Sequence, residues 1–325
     1  MRRAAWVLGL LTAGCSGPSG QPVELTIPVG APFQTVLDTL ESRGIVTART
    51  RFKAYVRLRG ADRELKSGQY SLAPGQKWSS IVDVLTEGRV LTVPMTIPEG
   101  FQLRQMAGPV SQITGVEEEE VLESLRDSSA VARWQLPGPT LEGYLFPDTY
   151  LFARGVTLET VISEMVARYR SVWSPERRAR LDSLGMSEND VVTLASIIQA
   201  EARHSDEMPR IASVYHRRLE RNMLLQADPT VIYALGGYRA RLLFAAIDSV
   251  ADSPYNTYSN AGLPPGPIGA PGDDAIQAAL YPADEAFLYF VARPDGTHIF
   301  TRSLSEHNQA VDVARRERDE LGRRP

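Results

Sequence analysis

The chain has 325 residues with 35 Lys and Arg against 39 Asp and Glu, a formal net charge of -4 and 43% hydrophobic residues. That length supports a large core and more than one domain, and the composition is that of a globular chain, not a disordered one. The mild acidity leaves no basic footprint for nucleic acid, and Lys occurs only at Lys53, Lys66 and Lys77.

Arg2 and Arg3 precede a short apolar run from Ala4 to Leu11, followed by Thr12-Ala13-Gly14-Cys15. The run falls well short of the roughly 20 residues needed to span a bilayer, so residues 1–15 read as a secretory signal ending in a lipobox. Cys15, the sole Cys, is the expected lipid attachment site. A cleaved signal with an incidental Cys is the alternative. Once lipidated, Cys15 leaves no thiol for catalysis or disulfides. Residues 16–22 (SGPSGQP) are small and Pro/Gly-rich, a flexible linker, and the folded part begins near Val23.

A unit of β-prone run, Pro/Gly turn and amphipathic helix then recurs over Glu24 to Val46, Tyr70 to Val90 and Thr92 to Val110. Aliphatics at helical spacing, such as Val36, Leu37 and Leu40 or Ile81, Val84 and Leu85, predict helices packed on a short sheet. Residues 23–92 therefore read as a small α/β module. Its strand-turn-helix units resemble LysM-type glycan-binding modules; a spacer without ligand is the competing reading. Residues 93–325 form a second, mixed and helix-rich domain, so the fold class is α+β. Glu117 to Glu120 open a helix whose dipole they suit. Helices follow over about Leu158 to Trp173, Ser187 to Arg203 and Pro209 to Arg221. Phe287 to Ala292 and His298 to Arg302 alternate as two strands around Pro294-Asp295-Gly296, and a charged helix closes the chain.

One carboxylate stands out. Leu194, Ile197, Ile198 and Glu201 fall at i, i+3, i+4 and i+7, which puts Glu201 on an apolar helical stripe. Desolvation there disfavours its charged form and leaves an acid able to hold a proton for a leaving group. The structural alternative is an ion pair with Arg203 or with an Arg of the 217–221 cluster.

Around it come four dense polar-aromatic stretches: Glu142 to Tyr150, Glu201 to His204, Leu225 to Tyr233 and Tyr255 to Pro267. Together they look like a sugar site, in which amides and carboxylates meet hydroxyls while sugar faces pack on aromatic rings. Glu142 and Asp148 also fit a turn around Phe146-Pro147. Asp228-Pro229 fits a cap on a helix beginning near Thr230. The four His (204, 216, 298, 307) lack metal-ligand spacing, and neither a Gly-x-Ser-x-Gly elbow nor a phosphate loop occurs, so no metal or other cofactor is expected.

The motifs LEGYLFPDTY (141–150), LASIIQAEA (194–202), IASVYHRRL (211–219), LQADPTVIY (225–233) and YNTYSNAGLPPGPI (255–268), in this order, resemble the endolytic murein transglycosylases of the MltG (YceG-like) family. The resemblance implies a LysM-like N-terminal module and a catalytic domain with a lysozyme-like catalytic Glu on a helix, which falls on Glu201. It implies cleavage of the bond from N-acetylmuramic acid to N-acetylglucosamine within nascent strands, leaving 1,6-anhydro ends and terminating elongation. Glu142, Asp148, Gln226, Asp228, Asn256 and Tyr258 are the candidates for holding the sugars. The implied partners are peptidoglycan strands, the membrane and peptidoglycan synthases. The implied location is the cell (inner) membrane, facing the periplasm, with the outer membrane as the alternative for a lipoprotein. Gln199 and Ala200 stand where many relatives carry an acidic-basic pair, and the short Cys15 signal replaces a longer anchor. Two other functions remain open: a hydrolytic muramidase using Asp228 or Glu142 as base, and a non-catalytic glycan-binding wall lipoprotein.

Overall fold

The computed structural model describes residues 20–237 and 242–321, so the expected signal with Cys15 and the start of the expected linker lie outside the described residues. The chain divides into two compact units, Met1–Val93 and Pro94–Pro325. No helix among the described residues is long and apolar enough to cross a membrane.

The first unit runs β1 (Val23–Ile27), α1 (Phe33–Ser42), α2 (Arg49–Leu58), a 3-10 turn, β2 (Gly68–Leu72) and α3 (Trp78–Glu87). β1 and β2 pair antiparallel, with Leu25 opposite Tyr70. Strand alternation sends Leu25, Ile27, Tyr70 and Leu72 to one buried face, where they meet Val36, Leu37 and Leu40 of α1 and Ile81 and Leu85 of α3. The sequence pattern missed α2, whose many basic residues mask a two-residue anchor: Phe52 and Val56, one turn apart, are both fully buried.

β3 (Thr92–Thr96) spans the boundary, and the second unit continues with α4 (Leu103–Thr114), α5 (Glu118–Arg126), α6 (Ser128–Arg133), β4 (Thr149–Ala153), α7 (Leu158–Val172), α8 (Pro175–Leu184) and α9 (Glu188–Glu201). After a 3-10 turn come α10 (Met208–Glu220), α11 (Asp228–Ala234), α12 (Phe244–Asp248), α13 (Asp273–Leu280), β5 (Tyr289–Ala292), β6 (His298–Thr301) and α14 (Leu304–Leu321). The protein is thus α+β and helix-rich. The third copy of the sequence repeat does not extend the β1–β2 sheet, because β3 pairs with β4 instead. Similar local patterns serve two different sheets.

α9 organises this unit. Ser187 and Asp190 form a capping box at its start, and every residue from Val191 to Ile198 is buried. A helix apolar on all sides is a core helix, so the single stripe read from the sequence was too narrow a description. α10, α11 and α13 pack around it. The PPGP loop closes on it through Ser196, whose hydroxyl accepts from the Ile268 amide at 3.0 Å. The 141–150 motif packs on the same loop at Gly143, where φ is 82° and a Cβ would lie 2.4 Å from Pro267. A side chain is therefore excluded there on both counts.

Candidate active site

Glu201 is the last residue of α9, where the helix leaves the core and meets a cavity of about 400 Å³. Its partner is Tyr215 on α10, fully buried, whose hydroxyl donates to Oε1 of Glu201 at 2.9 Å. Burial pushes the Glu201 carboxyl up to about 7; the Tyr215 hydrogen bond opposes this, the charge of Asp228 adds to it and that of Arg218 opposes it. The C-terminal end of a helix also disfavours a negative charge. Near neutral pH the group can therefore both hold and release a proton.

The alternative ion pair is not made among the described residues. No salt bridge engages Glu201 among the described residues, and Arg203 lies beyond the helix end against Gly296. Arg218 is buried, but its guanidinium donates to the carbonyls of Leu288 and Leu225 at 2.8 and 2.7 Å. Burial lowers its pKa, and it lies over the ring of Tyr289. It contributes positive potential to the cavity and holds two segments together.

The other walls come from 225–228, Tyr258 and the β5–β6 hairpin. Gln226 lies on the cavity wall with φ of 49°, a left-handed conformation uncommon for a residue with a side chain. Its amide donates to the Thr257 carbonyl at 3.1 Å. Asp228 is the first residue of α11, not its cap: Ala227 occupies the cap position, and Oδ1 of Asp228 accepts from the Tyr258 hydroxyl at 2.6 Å. Burial and that hydrogen bond push the Tyr258 hydroxyl well above its ordinary range. On the hairpin side, Phe290 meets the Tyr215 ring edge-on, and His298 Nδ1 lies 2.8 Å from the buried Glu207 carboxylate.

Three of the expected sugar-holding residues lie elsewhere. Asn256 is buried and off the cavity wall; its amide nitrogen donates to the carbonyls of Ile247 and Val250, and Oδ1 accepts from the Tyr258 amide. It shapes the loop that presents Tyr258. Asp148 is half-buried and paired with Arg168 at 2.7 Å, which holds its carboxyl below the usual range. Glu142 is buried on a different cavity, where its carboxylate accepts from the Leu103 amide at 3.1 Å and the Tyr233 hydroxyl at 3.4 Å. Burial pushes it up to about 8. Gln199 makes a structural bond, its Oε1 accepting from the Gly272 amide at 3.0 Å.

Sequence reasoning missed Tyr215, Arg218 and His298 as site residues. Tyr215 and Arg218 are three apart and share a face of α10, a signal present in the IASVYHRRL motif. Thr257 was also missed: its hydroxyl accepts from the Ala227 amide and bonds the Thr230 hydroxyl, tying the 255–268 loop to 225–230.

The YceG-like family matches residues 25–313, nearly the whole described chain. The chain belongs to the YceG-like family. Relatives include a Bacillus subtilis (strain 168) protein named endolytic murein transglycosylase, 34% identical over 306 residues that cover 89% of this chain and 84% of the relative. A protein of the same name from Streptococcus pneumoniae (serotype 2, strain D39) is 31% identical over 319 residues, covering 89% of this chain and 58% of the relative. The crystal structure of a yceG-like protein from Listeria monocytogenes is 34% identical, with a TM-score of 0.61 over 90% of this chain and 99% of that one. The family match takes in both units, and so covers Glu201 with the walls around it.

Proposed function

We propose that this protein is an endolytic peptidoglycan lytic transglycosylase that cleaves between N-acetylmuramic acid and N-acetylglucosamine, leaving 1,6-anhydro ends and ending strand elongation. The observation that carries this is the single carboxyl at the mouth of a buried helix, set in an open cavity, held by one tyrosine and tuned to about 7. Relatives bearing that activity in their names support the same reading.

Glu201 starts protonated and donates to the glycosidic oxygen as the bond to the anomeric carbon breaks. Positive charge grows on the sugar ring, and Asp228, on the wall of the same cavity, faces it with negative charge. The ionised Glu201 then takes the proton of the muramic acid's own 6-hydroxyl as that oxygen bonds to the anomeric carbon. The acid is regenerated and no water is consumed. Because the nucleophile is part of the substrate, a second catalytic carboxylate is not needed; well-oriented intramolecular attack is worth on the order of 7–11 kcal/mol. Tyr215 fixes the carboxyl's orientation through both steps.

On this reading the first unit is a LysM-like glycan-binding module, which its strand-helix-helix-strand order on one antiparallel pair supports. A lipid on Cys15 holds the protein at the outer face of the cell membrane, beside the synthases that make its substrate. A second reading, a muramidase, draws on Asp228 lining the same cavity, where it could activate water. Purified glycan strands treated with wild type and with Glu201→Gln test the proposal. Anhydro-ended fragments from wild type and almost none from the variant are expected; undiminished cleavage by the variant would remove Glu201 from the mechanism.

A further inference from the structure

A second cavity, of about 270 Å³, opens where the start of α4 meets the end of α11, and is lined by Gln102, Arg104, Arg126, Thr140, Glu142 and Tyr233 among others. It shares no lining residue with the cavity at Glu201. Ligand pockets usually run from about 300 to 1,000 Å³, so this one suits a single charged group and its immediate neighbours, not a run of sugars.

Its walls select for charge. Arg126 stands exposed at the end of α5, and no carboxylate among the described residues pairs with it at salt-bridge distance. Arg104 donates to the Gly236 carbonyl, a neutral partner that leaves its charge uncompensated. The third polar wall is Glu142, 4% exposed, whose oxygens meet only the Leu103 amide and, at 3.4 Å, the Tyr233 hydroxyl. Two cations and one desolvated carboxyl thus share a small chamber. Guanidinium groups match planar carboxylates, and a protonated Glu142 adds an O–H donor without adding repulsion.

The two cavities lie on one short helix. Asp228, in the first turn of α11, lines the cavity at Glu201, and Tyr233, five residues on, lines the second. At about 1.5 Å and 100° per residue, the two positions are about 7.5 Å apart along the axis and on different sides of the helix, a path that a peptide of a few residues, at about 3.3 Å each, can cover.

We propose that the second cavity binds a carboxylate of the short peptide carried by the N-acetylmuramic acid units of the strand seated at Glu201. This rests on the transglycosylase reading of the first cavity. It makes Arg104, Arg126 and Glu142 a specificity site that selects strands still bearing free peptides.

Titration calorimetry of a free stem peptide into full-length Glu201→Gln protein tests the cavity without turnover. Adding Arg126→Glu is expected to weaken the peptide about tenfold, as is blocking the peptide carboxyls as amides. In wild type, kcat/KM for peptide-bearing strands should exceed that for amidase-stripped strands about tenfold, and Arg126→Glu should bring the ratio toward one. Peptide binding unmoved by Arg126→Glu and by amidation, or equal wild-type rates on the two strands, overturns the proposal. If wild type releases no anhydro ends from either strand, the transglycosylase reading fails, and the peptide titration still decides the second cavity by itself.

Discussion

Glu201 and Glu142 are two carboxyls of one unit, both desolvated and both pushed up, to about 7 and about 8. By perturbation alone Glu142 is the stronger candidate acid. Their neighbours reverse that ranking. Glu201 lies at the end of a core helix on the larger cavity, with a tyrosine donor on one side and Asp228 across the same space. Glu142 takes a backbone amide at the start of α4 and faces two arginines across a smaller chamber. A raised pKa marks a buried carboxyl; the surrounding groups decide whether the proton is delivered to a leaving group or only used to hold a ligand.

Exchanging the two acids for amides, one at a time, separates their roles most sharply. Glu201→Gln should lower turnover by about 10²–10⁴-fold, the range for loss of a general acid, with the thermal unfolding midpoint little changed. Glu142→Gln should leave kcat within about tenfold of wild type, because it removes a hydrogen bond and not a proton donor. Equal losses in kcat would mean that the two carboxyls act as one catalytic pair.

Tyr215→Phe comes next in size. Loss of an orienting hydrogen bond should lower kcat about tenfold. The Tyr215 hydroxyl favours the charged form of Glu201, so removing it raises the acid's pKa further. Activity requires the protonated acid at the outset, and the alkaline limb of the kcat/KM profile should therefore move to higher pH. A limb that moves down or stays in place would assign it to another group.

A smaller effect appears in stability. Both folded pKa values lie above the ordinary 4.5, so between that value and about 7–8 the folded state binds more protons than the unfolded state. Stability should fall as pH rises through this window. Chemical denaturation at pH 5 and pH 8 should show the difference, and each Glu→Gln variant should flatten it. The smallest effect belongs to Asp148: its pair with Arg168 is exposed, so Asp148→Asn should cost less than about 1 kcal/mol and leave KM unchanged.

Much of this architecture is legible in the sequence, because helical spacing reports burial directly. α7, α10 and the β5–β6 hairpin fall within a few residues of their predicted bounds, and Val36, Leu37 and Leu40 form the buried face expected of them. α2 escaped because two apolar residues anchor it, and α13 because small Ala residues carry its buried face. Position in the chain says little about which polar residues share a cavity. Glu142 and Asn256 are dense-motif residues like Gln226 and Tyr258, but loop packing set by Gly143, Ser196 and Thr257 turns one pair away from Glu201 and the other toward it. Such long-range contacts leave no periodic trace. Asp228 shows the limit from the other side: its place before Pro229 reads as a helix cap, yet Tyr258 claims the carboxylate.

On the proposed mechanism one carboxyl suffices because the substrate supplies the nucleophile. Cleavage of purified glycan strands in ¹⁸O-water, followed by mass spectrometry of the new ends, tests it most directly. 1,6-anhydro ends carrying no ¹⁸O are expected; reducing ends with one ¹⁸O per cleavage would make the enzyme a muramidase instead.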